Sequence, residues 1–344
     1  MTNKKCVVLL VAWGVFLVSE SKADNLIRQC AFSPNGRYLA NLDGFNIDIW
    51  DASSWRLLRT FSSNPTVEID NFGFSSDSKR VRYVIGNAKI ETRSINSGEL
   101  ISEHLSTANR IVRFMSFDRL AVYNPGPKLR LEYLEDIGTG TRWSIPLSRP
   151  YGLFEPIVWR GNHVIIFDEP EDLKSRVLTW TISRSRVEPT PMYQISDIIP
   201  GVSDDGKRVA TTDGERVTIW DLVIKRTIDV IQGRSLGLRE GRFRIDSLAL
   251  NKDGHQLAIA FHNHSGPAYQ GDDVTVQVIS LNDNKILAVK RMTWPADRLL
   301  SLSFSPTKSS IVMGRLNDPV LWNWADAQVL ELKGSSSPIN PFGQ

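Results

Sequence analysis

Four short groups of residues in this 344-residue chain have types and spacings that could do chemistry. His262 and His264 stand two apart, with Asp272 and Asp273 ten residues on. If that segment is extended, the two imidazoles share a side, and a carboxylate as third ligand would complete a site for a divalent ion such as Zn²⁺. A polar loop holding no metal is the alternative. The stretch 232–244 carries Arg234, Arg239, Arg242 and Arg244, opposed only by Glu240. Guanidinium forks pair with carboxylate or phosphate, so this is a candidate for an anion or an acidic partner, against a solvated loop with no partner. Asp168, Glu169, Glu171 and Asp172 form an acidic run around Pro170. Gly233-Arg234-Ser235-Leu236-Gly237 matches the G-x-S-x-G pattern, but a nucleophilic serine there needs a strand-turn-helix setting. No helix is predicted in this stretch, and the match reads as chance.

The elements that must position these groups are repeats of about forty residues. Cys30 to Asp51, CAFSPNGRYLANLDGFNIDIWD, is echoed by IPGVSDDGKRVATTDGERVTIWD, from Ile199 to Asp221. Each reads as strand, turn, strand, Gly turn, and a strand ending in Trp-Asp. Apolar anchors closing a first strand recur at Phe32, Phe74, Met115, Val158, Val202, Leu250 and Phe304, spaced by 42, 41, 43, 44, 48 and 54 residues. A turn rich in Asn, Asp and Gly follows each anchor, then a second strand and a third, often alternating one. Alternation buries one face of each strand against a neighbour. The fourth strand, as in Leu57 to Phe61 or Val329 to Lys333, is expected at the edge and to be the most polar. No unit holds a long stretch of period 3.6, which excludes helical repeats.

In the phrases FSPNGRYLA and VSDDGKRVA and the ends Trp50-Asp51 and Trp220-Asp221, the chain resembles the WD40-repeat (and YVTN-like) β-propeller family over residues 27–333. Tyr133, Trp180 and Val278 stand near the Trp position of weaker units without the following Asp. Seven units of four strands give an all-β fold, a seven-bladed β-propeller of four-stranded antiparallel blades; because blade seven supplies all four of its own strands, the ring is expected to close by packing of blade seven on blade one without strand exchange.

Residues 1–23 read as a cleavable signal peptide. Lys4 and Lys5 precede an apolar run from Cys6 to Val18, and Ser21-Lys22-Ala23 supplies small residues for cleavage. The propeller then spans 24–333, and 334–344, rich in Gly, Ser and Pro, is a loose tail. Export to the periplasm or the exterior follows, with no membrane span after cleavage. Removing Lys4, Lys5, Lys22 and Glu20 from 41 basic and 38 acidic residues leaves 38 and 37, a net charge of +1. A balance so even gives no motive for nucleic acid as partner. Cys6 leaves with the leader, so Cys30 has no internal partner and is expected to pack as a small apolar group.

In an up-and-down blade, the loop between second and third strands and the link to the next blade emerge at one end. The two longest insertions, 232–244 and 262–273, land there, and both flank blade six. Loops on rigid scaffolds carry binding groups. The expected function is therefore a non-catalytic scaffold that binds a protein or peptide through this face, with no cofactor beyond a possible divalent metal at the blade-six loop. The alternative is a propeller enzyme, a metal- or quinone-dependent oxidoreductase, lactonase or hydrolase, with its site at the central channel.

Overall fold

The computed structural model describes residues 29–86, 89–105, 111–124, 130–144, 157–160, 163–168, 176–181, 186–192, 201–212, 216–236, 243–263, 273–293, 301–314 and 319–333. The expected leader and tail lie outside them. Within them, no helix is long and apolar enough to cross a membrane.

One local device starts four of the units. In units one, two and five the residue after the first strand is Ser33, Ser75 or Ser203. Its Oγ accepts the N–H of the residue five positions on, at 2.9, 3.0 and 3.0 Å, and donates to Asn35, Asp77 or Asp205. Unit six achieves the same closure with Asn251, whose Oδ1 accepts the Gln256 N–H at 2.9 Å. A short polar side chain here satisfies backbone groups that a tight hairpin would orphan. Gly36 completes the first turn at φ +70°, a conformation in which a side chain is strained, and a Cβ there would also run into Thr307.

A second device ends the third strand of units one, three and five. Asp51 and Asp221 place Oδ1 against two successive N–H groups, Ser53 and Ser54 at 2.9 and 3.0 Å, Val223 and Ile224 at 2.8 and 3.0 Å. The Ser53 hydroxyl and these amides pull the Asp51 carboxyl down to about 2. The Asp of Trp-Asp is thus a turn cap. Asp136 accepts the Thr139 N–H at 3.0 Å in unit three, where Glu135 stands in the place of the Trp and hides the pattern. The chain then turns through positive φ at Trp55, Lys225, Asn284 and Ala327, at 54°, 55°, 52° and 59°.

The strands assemble into four-stranded antiparallel sheets, each made of four strands consecutive in sequence. Residues 30–62, 69–105, 111–143, 201–232, 243–293 and 301–331 form blades one, two, three, five, six and seven. Residues 157–192 pair as a further sheet, the fourth in chain order. The expectation of a seven-bladed ring is corrected here. Six blades are held to a neighbour by described side-chain packing, while the fourth sheet is defined by its backbone ladder, with Val164 alone described as a buried side chain. Anchor spacing counts sets of strands. Whether a set buries its face against both neighbours is decided by tertiary packing, which spacing does not report.

The core is a series of apolar layers between blades. Val274, Val276 and Val278 of blade six pack against Leu302, Ile311, Met313 and Trp322 of blade seven. Tyr38, Ile47 and Phe61 of blade one meet Phe72, Val81 and Tyr83 of blade two. Blades seven and one join through Val312 and Leu332 against Cys30, Leu39 and Trp50, with Lys308 Nζ donating to the Ala52 carbonyl at 2.9 Å. Cys30 is a free, buried thiol, and burial raises its pKa.

Two further expectations are corrected. The outer strands are not simply polar: Leu57, Leu58, Leu100, Ile101, Ile228, Val230, Ile286, Leu287, Val289, Val329 and Leu330 are all exposed. A strand at the rim of a ring has no next layer to cover it, so its aliphatic residues stay at the surface. The stretch 232–244 does contain a helical turn, a 3-10 turn over Gly233–Leu236.

Candidate functional site at the junction of blades five and six

The two insertions begin and end on one edge of blade six. The strand Phe243–Leu250 starts where insertion 232–244 finishes, and its Phe243 pairs with Asn263, the last residue of Gln256–Asn263. Asn263 in turn pairs with Asp273, where the third strand resumes after the second insertion. The row Phe243, Asn263, Asp273 therefore gathers both loops at one end of a single sheet. The next row is Arg244, His262 and Val274. The candidate ligands His262 and Asp273 thus occupy adjacent rows and are not register partners. Arg234 lies on the 3-10 turn. Asp168 ends the strand His163–Asp168, opposite Arg176. Arg239, Arg242, His264, Asp272, Glu169, Glu171 and Asp172 lie outside the described residues. Among the described residues there is no cluster of three or more His, Cys, Asp or Glu able to hold a metal ion.

The base of this edge is rigid. Leu236, on the 3-10 turn, is buried among Ile219, Ile231, Ile245, Ile259 and Phe261, in the layer between blades five and six. Its carbonyl accepts a hydrogen bond from Gln277 Nε2 at 3.0 Å. The serine of the G-x-S-x-G match, Ser235, donates to the Gln232 carbonyl at 2.6 Å, which makes it a turn residue with its proton already committed. At the opposite end of the junction, Arg208 donates to the Gly254 carbonyl at 2.8 Å and stands 3.0 Å from His255 Nδ1. Between these latches, Gly201 lies so close to Leu248 and Ala249 that a Cβ would sit 3.2 Å from their backbone atoms.

This junction also holds polar atoms with nothing to bond. Asp229 Oδ2, Thr275 Oγ1 and Gln277 Oε1 are buried without a hydrogen-bond partner. Asp229 pairs with Ile219, and Thr275 and Gln277 alternate with the valines that face blade seven, so all three stand on faces turned to the junction. Unpartnered buried acceptors are uncommon and each costs about 1–3 kcal/mol. No sequence signal marks them. Thr and Gln in an alternating strand read as solvent-facing, and only the neighbouring blade turns that face inward.

A second polar constellation, in blade two, behaves oppositely. Glu91 is 5 % exposed and both its oxygens are engaged: Tyr83 Oη donates at 2.8 Å and Arg93 Nε at 3.0 Å to one, Lys89 Nζ at 2.7 Å to the other. Burial works to raise its pKa, but the bonds from Lys89, Tyr83 and Arg93 outweigh it and hold the carboxyl below its usual value. On the other face Arg82, 7 % exposed, donates to Thr92 Oγ1 at 2.7 Å and to the Phe117 carbonyl of blade three at 2.6 Å, reaches Asp118 at 3.2 Å, and lies 4.2 Å from the centre of the Phe117 ring. Burial lowers its pKa, with Asp118 opposing. The Arg82 group joins blades two and three, whereas the Glu91 group is closed within blade two.

No protein-family model matches the sequence, and no curated protein does. Solved structures are similar in fold. The β-propeller domain of Cps50 (Swd1) from Myceliophteria thermophila superposes with a TM-score of 0.57 at 13% identity, covering 84% of this chain and 93% of that one. A chain of the mitotic checkpoint complex gives 0.56 at 12% identity, covering 91% and 88%. At such identities the likeness concerns the fold alone: this chain is built as a β-propeller.

Proposed function

We propose that the protein is a non-catalytic scaffold that binds another protein through the end of the propeller bearing the blade-six loops, and that the leader over 1–23 exports it to the periplasm or the exterior. The observation that carries this reading is the row Phe243, Asn263, Asp273, where both long insertions end or begin on one sheet edge above a latched junction. Paired loops on a stiff base form a contact surface at little ordering cost. The fold supports it as well, since one of the similar structures is that of a multiprotein assembly. The arginines of the first insertion favour an acidic partner patch.

Site-specific photo-crosslinking in the native compartment tests this. Crosslinkers at 239 and 264 should capture one partner, and Arg239→Glu with Arg242→Glu should abolish the capture. Crosslinks confined to the opposite end, at Asp205 and Asp253, would refute it.

A further inference from the structure

Proteins that expose sheet edges usually blunt them with prolines, short strands or charge. The blades of this propeller show these defences unevenly. The outer strand of the fourth sheet, Arg186–Met192, contains Pro189 and Pro191. Those of blades three and seven, Thr141–Trp143 and Val329–Glu331, are three residues long. In blade one, Arg59 of the outer strand is tied to the Asn96 carbonyl at 2.6 Å, and in blade two Glu103 is paired with Lys89 at 2.8 Å.

Blade six lacks the first two defences, and its charge is of one sign. Its outer strand Lys285–Thr293 has nine residues, more than any other described strand, and no proline. It is terminal in its sheet, and its register with the third strand runs unbroken from Ala288 to Thr293. Ile286, Leu287 and Val289 are exposed at 39%, 42% and 47%. Lys285, Lys290 and Arg291 supply three positive charges, the strand has no acidic residue, and none of the three has an ion-pair partner among the described residues.

We propose that this edge receives an extended, acidic and aliphatic segment of the partner protein as a fifth strand of blade six. The inference deepens the scaffold reading and rests on it. A free ladder supplies main-chain hydrogen bonds, the aliphatic row supplies apolar contact, and the cations select the sequence. The same cations exclude a second copy of this chain, because two such edges would bring like charges together. An acidic segment meets the opposite condition.

The test uses the mature protein and a labelled peptide as long as the strand, alternating Glu and Val, followed by fluorescence anisotropy. Binding should weaken with added salt, fall at least about tenfold for Lys290→Glu with Arg291→Glu, and vanish when alternate peptide nitrogens are methylated, which removes strand donors and keeps charge. A Lys-Val peptide should not bind. The proposal fails if the Glu-Val peptide does not bind, if the methylated peptide binds equally well, or if the double substitution has no effect. Circular dichroism confirms that the doubly substituted protein is folded; Lys290 is half-buried, so Lys285→Glu with Arg291→Glu, at two exposed positions, is the second variant and should weaken binding likewise. Failure here with crosslinks still found at 239 and 264 would leave the scaffold reading standing and move its contact to the loops.

Discussion

Blade two and the junction of blades five and six both bury polar side chains between sheets, and they do so in opposite ways. Around Arg82 and Glu91 each charge meets an opposite charge and further hydrogen bonds within 3.2 Å. Around Thr275, Gln277 and Asp229 the apolar layer closes tightly and three oxygens have no bond at all. The first region shows how a repeat fold locks neighbouring blades with charge. The second shows a junction held by shape and by two latches, Leu236 with Gln277 and Arg208 with Gly254, at the expense of unsatisfied atoms. A buried polar group is thus no indicator of strength by itself; its partners decide the sign.

The sharpest way to break the comparison is Arg82→Ala. It strands Thr92 Oγ1 and the Phe117 carbonyl, and it should destabilise the fold by about 3 kcal/mol, toward the low end for a broken buried pair because Asp118 is half exposed and can hydrate. Urea unfolding would report it as a lower midpoint at unchanged slope. A loss under about 0.5 kcal/mol would mean that the network is ornamental.

Next in size is Glu91→Gln, expected to cost about 2 kcal/mol at neutral pH by weakening the bonds from Tyr83, Arg93 and Lys89. Because the folded-state pKa of Glu91 is depressed, its stabilisation is present above the unfolded value near 4.3 and is lost as pH falls through the lower folded value. The wild-type protein should therefore lose stability on acidification below that pH, and Glu91→Gln should flatten the same limb of the curve. Parallel curves would refute the role assigned to Glu91.

The smallest effect has the opposite sign. Thr275→Val removes an orphaned hydroxyl and keeps the shape, so it should raise stability by about 1 kcal/mol. Thermal unfolding of the single variant checks it, and a destabilisation of that size would mean that Thr275 has a partner in solution.

Much of the scaffold was legible in the sequence because it is written in local chemistry. The turn serines Ser33, Ser75 and Ser203 and the capping Asp51 and Asp221 act on residues within five positions of themselves, so their pattern survives in one dimension. Asp136 was missed because Glu135 stands at the Trp position and breaks the dipeptide while leaving the bond to Thr139 intact. The site was legible only as two long insertions. That Leu236 enters the layer between blades, or that Thr275 and Gln277 face inward, depends on a blade from elsewhere in the chain.

What the sequence determined alone, then, is the unit: strand lengths, turn types and the period at which they recur, all set by short-range hydrogen bonds and alternation. What only the tertiary structure decided is the company each unit keeps. Six blades with described packing, an aliphatic rim where polar edges were expected, and two loops brought to the row Phe243, Asn263, Asp273 follow from register and from contacts between residues distant in sequence. Those contacts depend on shape and burial, quantities that no single segment of the chain possesses.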